Sequence, residues 1–235
     1  MKMFSIYVSN VISNKTHHSM DLEGDTDNQF YGTLQADGEN IYLHNYHASI
    51  MGAYINSHKT TQFLFFPVVA SVEVREESGH ALCIIVDNKL GEIYLMDPNG
   101  NTSYYDNVLI KFSKSITGLH IPDEFIKDMY IDSSFKINQL MQCYVNDINK
   151  YLNSQLKFVP SSEWNPSRGA LNRTLPSDTI QSGNCVTITI FIMHYMSLTN
   201  LSLVDTYSTL LKYTDEELSN IINSYSLSIY NITFV

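Results

Sequence analysis

From Ser57 to Ser113 the apolar positions fall into short runs divided by turn-forming residues: Gln62 to Phe66, Val68 to Val74 and Ala81 to Val86. Short runs rich in Val, Ile and Phe predict strands, so this region is expected to form a sheet. Asp87-Asn88-Lys89-Leu90-Gly91 then connects to Glu92-Ile93-Tyr94-Leu95-Met96, the pattern of an antiparallel hairpin with a Gly in its loop. His80 leads into the first strand of that hairpin, and Asp97 follows the second.

After Pro122 the spacing changes. Phe135, Ile137, Leu140, Met141, Tyr144, Val145, Ile148 and Leu152 recur at steps of three and four, with Asn138, Asn146, Asp147 and Lys150 between them, which predicts an amphipathic helix. Val159 to Asn184 holds three prolines and two glycines and reads as a long loop, and loops of that length inside a domain are usually functional or mobile. Cys185 opens a run to Met196 that is apolar nearly all round and must be buried, although its β-branched residues suit a strand as well as a helix. Two more helices are expected, one around Leu203 to Lys212 and one begun by the capping box Thr214-Asp215-Glu216-Glu217. The chain has neither an internal repeat nor a low-complexity tract.

The chain has 235 residues, enough for one domain with a sizeable core, and residues 1–55 could form an extension or small lobe of it. Fourteen Lys and Arg against 24 Asp and Glu leave a formal charge of -10, which opposes binding to a phosphate backbone or an anionic membrane surface. Nucleic acid and membrane are therefore not expected as partners, and the acidity is explained most simply as a solubility device. The first residues, Met1 to Val8, lack the apolar stretch of a signal peptide, and no later segment reaches the ~18 apolar residues of a membrane span, so an intracellular, soluble chain is expected.

Cys83, Cys143 and Cys185 are odd in number and lack Cys-x-x-Cys spacing, so neither a disulfide framework nor a thiolate zinc site is indicated. Cys83, within a strand, and Cys143, within a helix, read as packing residues. Cys185 differs, because it follows the turn-forming Ser182-Gly183-Asn184 and heads a long apolar segment. If that segment is helical, unpaired N–H groups and the positive end of the helix dipole favour its thiolate. His80 follows the polar turn Glu76-Glu77-Ser78-Gly79, and Asp97 precedes Pro98-Asn99-Gly100, so the hairpin brings the two together at its open end. A carboxylate there would fix the imidazole tautomer and stabilise its cation.

Other candidates carry less. His17, His18, His44 and His47 lack a nearby carboxylate pair or Cys and read as surface residues, His58 and His120 have no partner motif, and His194 reads as a hydrogen-bonded core histidine. Trp164, the one Trp, fits either a binding-site anchor or a cover over the core. No cofactor and no metal is expected.

The blocks Gly79-His80-Ala81-Leu82-Cys83-Ile84-Ile85-Val86-Asp87, Glu92 to Gly100 and Gln181-Ser182-Gly183-Asn184-Cys185 resemble a clan of cysteine peptidases. It contains the adenovirus protease, the ubiquitin-like-protein-specific proteases, related enzymes of large DNA viruses and bacterial effectors. The order His, Asp, Gln, Cys is the clan's order. The resemblance implies an α+β fold in which the nucleophile begins a buried central helix packed on a mixed sheet with flanking helices, which selects helix for residues 185 to 196. It further implies Cys185 as nucleophile, His80 as base, Asp97 as the residue orienting the base and Gln181 as an oxyanion donor. The implied substrate is a peptide or isopeptide bond after a small residue such as Gly, in conjugates of ubiquitin or a ubiquitin-like modifier or in a viral polyprotein. The implied location is the cytoplasm, that of a host cell for a viral or bacterial member. An effector-type acyltransferase with the same triad and an inactive binding module of the same fold are the alternatives. Two departures stand out: Gln181 lies four residues before Cys185, where five or six is usual, and Ala81 stands where many members have Trp.

Overall fold

A computed structural model describes residues 18–19, 32–37, 40–44, 46–72, 80–98, 137–165, 171 and 184–233. The elements are β1 (His18–Ser19), β2 (Gly32–Asp37), β3 (Asn40–His44), α1 (Ala48–Ser57), β4 (Phe63–Val72), β5 (His80–Asp87) and β6 (Glu92–Met96). They continue with α2 (137–149), β7 (Lys157–Phe158), α3 (Ser161–Trp164), α4 (Asn184–Thr199), α5 (Leu203–Leu210) and α6 (Asp215–Thr233). The strands make one mixed sheet in the order β3-β2-β4-β5-β6-β7, with β1 beside β4. The fold is mixed α and β.

Pairing is antiparallel through β4, β5 and β6, with Phe63 opposite Asp87 and Cys83 opposite Met96. The β5–β6 hairpin closes as its sequence predicts: the Asp87 carboxylate accepts from the N–H groups of Lys89 and Leu90, and Gly91 takes φ +68°. That left-handed conformation is why a Gly stands there. The apolar runs on either side of Pro67 form the single strand β4, not two. Along the edge of β4 away from β5 the partner changes at Pro67, from β1 at Leu64 and Phe65 to β2 from Val68 onward. The Pro67 carbonyl points into that gap and accepts from Tyr46 Oη at 2.7 Å. A strand residue presents its nitrogen and its carbonyl to the same side, so the N–H that proline lacks is missing where no strand among the described residues would have used it.

Both faces of the sheet are covered, which explains why every residue of β5 is buried. On one face Leu64, Phe66, Leu82, Ile84 and Ile93 pack with Met51 and Ile55 of α1 and with Met141, Val145 and Ile148 of α2. On the other, Phe63, Phe65, Cys83, Ile85, Tyr94 and Met96 pack with Ile188, Ile192, Met193 and Met196 of α4, with Tyr207 of α5 and with Leu218 and Ile222 of α6. Helix α4 lies between the sheet and α5 and α6, so it needs no polar face. Asn200, with φ 56°, ends α4 by donating its N–H to Met196 O at 2.8 Å. The expected capping box holds at α6: Thr214 N–H reaches Glu217 Oε2 at 2.8 Å and Glu217 N–H reaches Thr214 Oγ1 at 3.3 Å. Among the described residues no single helix is long and apolar enough to cross a membrane.

Candidate active site

Three elements distant in sequence meet at one end of the sheet. His80 is the first residue of β5, Asp97 directly follows β6, and Cys185 is the second residue of α4. Because β5 and β6 are antiparallel, the start of one lies beside the end of the other. Helix α4 crosses that end on the Cys83 and Ile85 face of the sheet, with its N-terminus toward His80.

His80 and Asp97 are both buried, and His80 Nε2 lies 2.7 Å from Asp97 Oδ1. With Nε2 taken by the carboxylate, Nδ1 is the nitrogen left for the hydrogen bond that His80 makes with Cys185. The Cys185 sulfur also accepts from the backbone N–H groups of Ala81 and Val186. Burial disfavours a charged ring, but the Asp97 charge and hydrogen bond, together with Cys185, outweigh it and push His80 up to about 10. Burial raises the Cys185 thiol, yet the bond to His80, its charge and the two N–H donors leave it below the ordinary value. Both shifts favour the imidazolium–thiolate form of the pair over the neutral one.

The three cysteines separate clearly. Cys83 is fully buried, and desolvation drives its thiol far up. Cys143, expected as a packing residue, is exposed instead: on α2 the neighbouring Met141 and Val145 turn to the sheet, so Cys143 lies on the outer side. Cys185 is partly exposed, and of the three only it combines access with a donor set for a thiolate.

Gln181 lies outside the described residues, as do most of Val159 to Asn184, His17 and His120. Within that stretch α3 is described, and Trp164 is 5% exposed, set edge-on against Tyr94 at 6.1 Å and Tyr207 at 4.8 Å between ring centroids. Trp164 therefore covers the core. His194 is half-buried, with Nδ1 3.1 Å from Tyr225 Oη, as expected of a satisfied core histidine. His47 is exposed, and His58 lies 2.9 Å from Ser57 Oγ and stacks on Tyr54. Among the described residues no group of three or more His, Cys, Asp or Glu is arranged to hold a metal ion.

Two supporting residues escape sequence reasoning. Tyr207, fully buried, donates through its hydroxyl to the Asp97 carbonyl at 3.3 Å across 110 positions, and no local pattern marks it. Thr189 donates to the Ala81 carbonyl at 3.4 Å. It lies one helical turn after Cys185 on the same face, so the helical period was the signal that could have found it. In comparisons with known proteins, no family model matches the chain, and no curated protein or solved structure matches it significantly.

Proposed function

We propose that this chain is a cysteine peptidase of the adenain and ubiquitin-like-protein-protease type. The observation that carries the reading is the linked set Cys185, His80 and Asp97, joined by hydrogen bonds from three separate elements at the mouth of a helix. A buried, aligned carboxylate, a ring held in its charged form and a partly exposed thiol whose ionisation is favoured are together what acyl transfer to sulfur needs.

In the proposed mechanism Cys185 Sγ attacks the carbonyl carbon of the scissile bond and the carbonyl oxygen takes up negative charge. The backbone N–H of Cys185 and the Gln181 amide donate to that oxygen. His80 gives its Nδ1 proton to the leaving amine, whose departure leaves an acyl thioester and a neutral ring. The ring then takes a proton from water as the water attacks the thioester, and the thiolate departs to regenerate the pair with His80. Asp97 holds the ring by Nε2 throughout, so that Nδ1 faces the sulfur.

The substrate proposed is a peptide or isopeptide bond following a small residue, in a ubiquitin-like conjugate or a polyprotein. The test is a panel of ubiquitin and ubiquitin-like probes bearing a C-terminal electrophile, applied to wild type and Cys185→Ala. A covalent adduct on wild type alone supports both nucleophile and substrate class. No adduct with any member, together with an ordinary Cys185 alkylation profile, refutes the reading.

A further inference from the structure

A strand residue presents its N–H and C=O to the same side. At Ala81 no strand among the described residues lies on that side, because β6 pairs with β5 only as far as Met96, opposite Cys83. Helix α4 takes both groups instead. The Ala81 N–H donates to the Cys185 sulfur, and the Ala81 carbonyl accepts from Thr189 Oγ1 at 3.4 Å. Thr189 is fully buried, so its hydroxyl has no water to turn to. Side chains alternate along a strand, so Ala81 points the same way as Cys83 and Ile85, toward α4. A methyl group at that position lets the helix come close enough to reach the strand backbone.

We propose that Thr189 is a positioning residue for the nucleophile, holding the Ala81 backbone so that its N–H is aimed at the Cys185 thiolate. The proposal rests on Cys185 being the nucleophile, and it gives the sulfur a held donor besides His80 and the Val186 N–H. Residues Cys185 and Thr189 are one helical turn apart, so the helix grips one strand residue at two points and fixes the sulfur in both distance and direction. Loss of the hydroxyl frees the carbonyl end and lets the N–H swing away from the sulfur.

The test uses Thr189→Val, which keeps the shape and removes the hydroxyl, beside Thr189→Ser, which keeps the hydroxyl. Iodoacetamide alkylation of each cysteine is followed by mass spectrometry across a pH series in the full chain. Exposed Cys143 serves as the reference thiol and buried Cys83 reports opening of the core. The expected result is a rise of about half a unit to one unit in the apparent Cys185 pKa for the Val variant, equal to roughly three- to tenfold less thiolate below the midpoint. The Ser variant should titrate near wild type, with Cys143 unchanged and Cys83 protected in both. A Val variant that titrates as wild type overturns the proposal. So does Cys83 becoming reactive in the Val variant, which assigns Thr189 to packing alone. A wild-type Cys185 that titrates like Cys143 would instead sink the nucleophile reading itself.

Discussion

Replacing Asp97 with Ala tests the electrostatics of the site most directly. The carboxylate is the largest favourable influence on His80, and with it the ring stays charged despite burial, at about 10 against an ordinary 6.5. Without it, only the coupling to Cys185 opposes the cost of burying a charge, so the balance shifts toward the neutral ring and thiol. Desolvation already favours the neutral thiol at Cys185. Its apparent pKa should then rise, leaving less thiolate at pH 7 than in wild type. Alkylation of Cys185 at pH 7 should fall, by about tenfold for each unit of that rise, and the two rates should converge at high pH where both thiols are ionised. Turnover should fall further, by up to about 10⁴-fold, because the ring also loses its orientation. The assay is iodoacetamide labelling against pH, with Cys143 as the internal reference. An Asp97→Ala variant that alkylates within twofold of wild type at pH 7, with the same midpoint, would refute the claim that Asp97 sustains the ion pair.

Cys185→Ala should abolish turnover while the unfolding midpoint in urea stays close to wild type, and residual turnover would reassign the nucleophile. Gln181→Ala should lower kcat by about 10²- to 10³-fold with KM little changed and Cys185 alkylation intact, whereas a loss below about threefold would give the oxyanion to backbone N–H groups. In a Cys185→Ala background, the charge and hydrogen bond of Asp97 should still hold the His80 pKa up. A raised folded-state pKa stabilises fully below about 6.5 and less as pH climbs through the folded value, so the urea midpoint should decline from pH 6.5 upward. His80→Gln in that background should flatten this decline, and a persistent slope would place the titration elsewhere. Gly91→Ala should destabilise by about 1 kcal/mol because of φ +68°, measured as a lower urea midpoint, and an unchanged midpoint would mean that the turn relaxes.

Much was legible in the sequence because it depended on neighbours along the chain. The hairpin from His80 to Asp97 was readable from two apolar runs and a turn with a Gly, since an antiparallel pair joined by a short loop allows few registers. The Thr214–Glu217 capping box was readable because both of its bonds lie within one turn. Other features were not local. The runs around Pro67 join into one strand because β1 and β2 happen to divide its far edge there, a fact about two segments elsewhere in the chain. Cys143 and Val145 both occur in an apolar-rich stretch, and only the way α2 sits on the sheet puts one outside and the other inside.

The candidate site shows the same division. The residue types and the order His80, Asp97, Cys185 are properties of the sequence, and so is the His80–Asp97 proximity that the hairpin enforces. Whether residues 184–199 form helix or strand was undetermined locally, since β-branched residues that are buried all round satisfy either. Tertiary packing decided it, because a layer between the sheet and α5 and α6 has room for a helix with no polar side. The same packing carried the sulfur to the imidazole and gave the Ala81 backbone to α4, and it put Tyr207 beneath Asp97. Contacts across about a hundred residues of chain leave no periodic mark, because they are set by how layers stack and not by the torsions of adjacent residues.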